Sequence, residues 1–193
     1  ELLQFASAGG AAAVSNNCAP CHGRGAQGSV GYPNLNDDDW IWGGDLTAIE
    51  QTINFGIRNG HAKARDSAMP KFGQDKVLEA AQITDVANYV RQVAGLGANA
   101  EAAGRGAAIF AEQCAVCHGP EGKGNLDMGA PNLSDKIWLY GDSVAAISQS
   151  ITPVVAASCR AGLNVSTSPR SRCWRFMCTL SAAASNALRC CNV

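Results

Sequence analysis

One five-residue pattern, Cys-x-x-Cys-His, occurs twice in this 193-residue chain, at Cys18-Ala-Pro-Cys21-His22 and again 96 positions later at Cys114-Ala-Val-Cys117-His118. Two thiols at this spacing can both form thioethers with the vinyl groups of a haem, while the adjacent imidazole reaches the iron from one face. A zinc module built from two such pairs separates them by roughly 15 to 20 residues. Here 92 residues lie between the pairs, and zinc would not require a His directly after each. A thiol redox motif could explain one copy but not two with the same His. Each copy therefore predicts one covalently attached haem c, held by Cys18 and Cys21 with His22 on the iron, and by Cys114 and Cys117 with His118.

The duplication extends beyond the motif. Pro33-Asn34-Leu35 and Trp40 return as Pro131-Asn132-Leu133 and Trp138, 98 positions on, and Ala48-Ile49 with Gln51 and Ile53 returns as Ala146-Ile147 with Gln149 and Ile151. Two homologous modules in tandem are the simplest reading. Their expected bounds are 1–95 and 107–152, joined by the Gly- and Ala-rich stretch 96–106, with an aberrant tail over 153–193. Residues 7 to 17 can be helical, Asp45 can cap a helix carrying Leu46, Ile49 and Ile53, and Thr84 opens a helix with Val86, Tyr89, Val90 and Val93 on one stripe, ended by Gly95. No run alternates as a strand, so the fold class is all-α. Long loops in such small modules need something to order them, and a bonded haem would also enlarge the core of a chain that holds only 6% aromatic residues.

Residues 1–150 hold 10 Lys and Arg against 16 Asp and Glu, a balance of 10 − 16 = −6, whereas residues 151–193 hold five Arg and no acid. An acidic body favours a basic protein partner over nucleic acid. No apolar run approaches the roughly 20 residues that span a bilayer. The chain opens at Glu1 with neither Met nor leader, as a processed segment would, so any anchor is expected upstream.

A low-spin haem iron takes a second axial ligand, and a thioether sulfur raises its potential. Met69, in Ser67-Ala-Met69-Pro70, is the candidate, 47 residues after His22 and alone among the first 127 residues. Filling a core gap is the commoner use of Met. His61 is the rival for the same iron.

These residues resemble class I cytochrome c, which implies that Gly10 and Val14 of the first helix meet the Tyr89 stripe of the last. More narrowly, GIRNGHAKARDSAMPKFG, FAEQCAVCHGPEGKGN and GAPNLSDKIWLYG resemble the diheme subunit III of cbb3-type cytochrome c oxidases, over residues 5–152. The resemblance implies two tandem class I cytochrome c domains and an electron relay with no catalytic centre of its own. The implied partners are a cytochrome c donor, the oxidase catalytic subunit and its monoheme cytochrome subunit. It places the chain at the periplasmic face of the bacterial inner membrane, attached through a missing N-terminal anchor or the complex. A free diheme shuttle of the c4 kind, a diheme peroxidase and, more remotely, a haem-based gas sensor are the alternatives.

The resemblance stops after Ile151, where it implies a Gly-Arg-Asn-Gly-Val-Met-Pro run bearing the second axial Met. Five of the nine cysteines fall in the 43 residues from 151 onward. Reading codons 153–162 from their third base permits Gly-Arg-(Ser or Gly)-Gly-Val-Met-Pro, and the window Ser171 to Leu180 permits Lys-Val-Leu-Ala-Val-Tyr-Val-His-Ser, an echo of Val86 to Val90. A shifted reading frame explains both. On that reading the second module lacks its Met and the helix that should pack on Gly106 and Phe110, Met128 and Met177 are poor substitutes, and residues 153–193 are expected to be poorly ordered.

Overall fold

Helices form where the sequence supplies a cap and an apolar stripe, and the loops between them are turned by glycines. The computed structural model describes residues 2–153. The helices are α1 (Leu2–Asn17), the single turn α2 (Ala19–His22), α3 (Leu46–Phe55), α4 (Ala80–Val93), α5 (Ala100–Gln113), the single turn α6 (Ala115–His118) and α7 (Val144–Ile151). Among the described residues pairing between extended segments is confined to three isolated bridges, so the chain is all-α. The tail, its frame-shifted reading and Met177 lie outside the described residues from position 154 onward.

Capping decides where the helices start. Asp45 Oδ1 accepts from Thr47 N and Ala48 N at 2.9 and 3.0 Å and opens α3. Glu79 and Gln82 form a reciprocal capping box that opens α4 at Ala80, one turn before the expected Thr84. Asn99 Oδ1 accepts from Ala102 N at 2.9 Å and opens α5 at Ala100. The stretch 96–106, expected from its Gly and Ala content to join the two modules, is therefore helical from Ala100 onward, because alanine is a strong helix former once a cap is present.

The described residues divide into two compact units, one running through Asp66 and one beginning at Ser67. Unit one holds α1, α2 and α3. Unit two holds the Met69 loop, α4, α5, α6 and α7. Its core is built from Phe72, Leu78, Ile83, Val86, Ala87, Val90, Phe110, Ile147 and Ile151. The Tyr89 stripe was expected to meet Gly10 and Val14, and this is corrected: α4 packs on α5, with the Tyr89 and Phe110 rings 5.1 Å apart. A Cβ on Gly106 would lie 2.2 Å from the Asp85 carbonyl oxygen, so only glycine allows that approach. Arg105 forms a bidentate pair with Asp85 at 2.7 and 2.8 Å, and Asn99 N donates to Asn88 Oδ1 at 3.0 Å. The helix expected to be missing from Gly106 and Phe110 is thus supplied by α4.

Candidate haem sites

Each Cys-x-x-Cys-His forms one helical turn continuing from a long helix. Cys18 N donates to Val14 O at 2.8 Å and Cys114 N to Phe110 O at 2.9 Å. Within the turns His22 N donates to Cys18 O at 2.9 Å and His118 N to Cys114 O at 3.0 Å. Residues i, i+3 and i+4 of such a turn share one face, so both thiols and the imidazole are offered together. The turns end at Gly23 (φ +83°) and Gly119 (φ +77°), conformations that favour glycine.

Both imidazoles are oriented in the same way. His22 Nδ1 lies 2.8 Å from Pro33 O, and His118 Nδ1 lies 2.9 Å from Pro131 O. A carbonyl accepts only, so Nδ1 carries the proton and Nε2 keeps its lone pair for a metal. The Pro-bearing segments are brought close by Gly28 and Gly124, where a Cβ would lie 2.7 Å from Tyr32 O and 2.6 Å from Ala130 O. Pro-Asn-Leu was visible in the sequence as a repeat, yet its role as the acceptor for the imidazole was not read from it.

Burial separates the two sites. His118 is 8% exposed, and burial holds its pKa below the usual imidazole range, opposed by the Pro131 hydrogen bond; it is therefore neutral, the form that ligates. Burial and the neighbouring Cys117 push the Cys114 thiol up to about 11. His22 is half-buried. Cys21, Cys114 and Cys117 are free thiols, and among the described residues no three His, Cys, Asp or Glu side chains group to hold a bare metal ion.

The sixth-ligand candidates fall in different places. Met69 is packed on the unit two core together with Cys114, Leu133 and Trp138. Met128 lies in the short loop closed by Asn125 and Ala130. His61 belongs to unit one, stacked on Phe55 at 5.3 Å, with Nδ1 accepting from Lys63 N at 3.1 Å.

The residues present fit a haem in each turn. Besides the thiols and the free Nε2, two buried indole donors, Trp40 Nε1 and Trp138 Nε1, have no acceptor among the described residues, as expected where a group with its own acceptors belongs.

Comparison with known proteins agrees. Residues 6–90 match the model for cytochrome c oxidase, cbb3-type, subunit III, and residues 103–152 match cytochrome c. The chain is 54% identical over 152 residues to the cbb3-type cytochrome c oxidase subunit FixP of Bradyrhizobium diazoefficiens, covering 78% of this chain and 52% of that protein. It is 51% identical over 153 residues to subunit CcoP of Cereibacter sphaeroides, covering 79% and 53%. The chain belongs to the cbb3-type cytochrome c oxidase subunit III family. It spans about half the length of the curated relatives it matches. Membership makes the two modules cytochrome c domains and haem c their cofactor. No helix among the described residues is long and apolar enough to cross a membrane.

Proposed function

We propose that this chain carries two haem c groups and relays electrons from a cytochrome c donor towards the catalytic subunit of a cbb3-type oxidase, at the periplasmic face of the inner membrane. The observation that carries the reading is the duplicated site, in which the same turn and the same His to Pro-carbonyl bond recur in a chain about half identical to oxidase subunits. The haem supplies one-electron chemistry; the protein holds it, orients the imidazole and limits water.

Cys18 and Cys21 attach the first haem with His22 on its iron, and Cys114 and Cys117 attach the second with His118. Order along the chain pairs Met69 with His22. Its packing against the same core as Cys114 supports the other pairing, in which Met69 and His118 would both ligate the second haem. His22 then has no Met among residues 2–66, and His61 is the remaining imidazole of its unit.

The test is the full chain matured with haem. Covalent haem counting should give two equivalents, falling to one in Cys18→Ser/Cys21→Ser and in Cys114→Ser/Cys117→Ser. Met69→Leu should remove the sulfur-to-iron charge-transfer band and lower one midpoint potential. That effect should persist when the first haem is deleted and vanish when the second is; the reverse would restore the His22 pairing. Reoxidation by the isolated oxidase core, fed by reduced cytochrome c, should require this chain; peroxide turnover without the core would favour a peroxidase.

A further inference from the structure

Asparagine side chains close the same small turn at four places among the described residues, and one of the four is built differently. Asn34, Asn59, Asn125 and Asn132 each accept through Oδ1 from the backbone N–H two residues on, at 2.9, 3.0, 2.9 and 2.9 Å. The residue enclosed by the turn is Leu35, Leu126 or Leu133 in three of them and Gly60 in the fourth. Asn34, Asn125 and Asn132 are half-buried, whereas Asn59 and Gly60 are both exposed, in the loop that follows α3. The enclosed amides differ too. Leu35 N donates to Ala26 O at 2.8 Å and Leu133 N to Gly122 O at 2.6 Å, while among the described residues no such bond holds Gly60 N.

The turn folds the side chain back along the backbone, so the nitrogen of the enclosed residue is the nucleophile nearest Cγ. Joining the two closes a five-membered imide within one chain, which removes the cost of bringing reactants together. A leucine side chain obstructs that approach. Gly60 has none, and at φ +82° nothing lies within 4 Å of where its Cβ would be. The His61 N–H on Asn59 Oδ1 draws charge from the carbonyl and is already in place for the oxyanion that forms. We propose that Asn59-Gly60 is a self-modifying site. Gly60 N bonds to Asn59 Cγ, the Cγ–Nδ2 bond breaks, and ammonia leaves with the proton given up by Gly60 N. Water, the co-reactant, then opens the succinimide at either carbonyl, giving aspartate or, where the backbone reroutes through the side chain, isoaspartate.

The product undoes a helix end. Asn59 Nδ2 donates to Phe55 O at 2.9 Å and satisfies one of the last carbonyls of α3. A carboxylate has no proton to donate, and its charge is unfavourable beside the negative end of a helix. Modification therefore unlatches α3 from the loop 56–65, which is otherwise closed by Arg65 N to Gly56 O at 3.1 Å and Arg58 N to Arg65 O at 2.8 Å.

The test is the full-length matured chain, aged in mildly alkaline buffer and sampled by peptide mapping. The peptide holding Asn59 should gain the mass of amide-to-acid conversion, with matching release of ammonia and labelling by an isoaspartyl methyltransferase, while Asn34 and Asn132 stay intact. Gly60→Ala should slow the conversion, and Asn59→Gln, which would need a larger imide, should lose it on the same timescale. The wild-type time course carries the decision should either variant fail to fold. Conversion of Asn59 in the denatured chain but not in the native one would overturn the proposal, as would conversion of Asn34 or Asn132 at the same native rate. In Asn59→Asp, which has the hydrolysed side chain from the outset, hydrogen exchange should quicken at the Gly56 and Arg65 amides; unchanged exchange would refute the unlatching.

Discussion

Unit one and unit two build the same haem turn from the same residues, but they support it differently. His118 is buried, in a unit whose core holds nine buried apolar side chains. His22 is half-buried, and among the described residues of unit one the buried apolar side chain is Ala26. The turn and its proline carbonyl are therefore local devices that form without a protein core. The helical lid is not local, and the packing of α4 on α5 gives it to unit two.

The strongest way to break this comparison is to remove the centre of that core. Phe110 is 2% exposed and contacts Tyr89, so Phe110→Ala should cost unit two about 3–5 kcal/mol. Denaturant unfolding followed by hydrogen exchange should show the loss in α4, α5 and α7 and leave α3 unchanged. Equal loss in both units would mean that they do not unfold separately.

Next in size is the notch that lets the helices touch. Gly106→Ala puts a methyl 2.2 Å from the Asp85 carbonyl oxygen, an overpacking cost of about 1–3 kcal/mol. Gly104→Ala, two residues earlier on α5 with nothing within 4 Å, should instead stabilise by about 0.5–1 kcal/mol. A similar outcome for both would remove the close approach as the source of pairing.

Much of this was readable in the sequence, and what was missed has a physical cause. Caps, stripes and the Cys-x-x-Cys-His turns depend on neighbours three or four residues away, so Asp45, α4 and both haem turns were found from local pattern. Which helix α4 packs against is a choice between two copies of one repeat: Gly10 and Gly106 are equivalent, and either could form the notch. The specificity lies in α5 residues that α1 lacks. Arg105 pairs with Asp85 and Phe110 meets Tyr89, whereas the positions 96 residues earlier are Gly9 and Val14. Comparing the repeats by their differences would have found it. The same choice carries Met69 into unit two, which linear order alone could not indicate.

A smaller difference sits in the haem loops themselves. Leu35 N donates to Ala26 O at 2.8 Å, and Leu133 N donates to the equivalent Gly122 O at 2.6 Å. Both acceptor residues have positive φ, +55° for Ala26 and +71° for Gly122. Unit one thus tolerates a left-handed alanine where unit two has glycine. Gly122→Ala should cost about 1–2 kcal/mol from the left-handed backbone, with its Cβ also tight against Val93 at 3.3 Å. Ala26→Gly should be close to neutral, since the relieved strain is offset by a lost buried methyl group of about 0.8 kcal/mol. Thermal unfolding of the two variants measures the difference.

The smallest expected effect tests the charge pair that selects α5. The hydrogen bond from Arg105, aided by its charge, holds the Asp85 carboxyl below its ordinary range. A carboxyl with a folded pKa below its unfolded value contributes stability above the unfolded value, about 3.9 for Asp. That contribution is lost as pH falls through the lower folded pKa. Wild-type unit two should therefore exceed Asp85→Asn in stability at neutral pH, and the gap should close as the solution is acidified below about pH 4. Arg105 is 62% exposed, so the gap is modest and screened by salt. If the gap is absent at neutral pH while α4 still packs on α5, the aromatic contact and the glycine notch select the partner without help from charge.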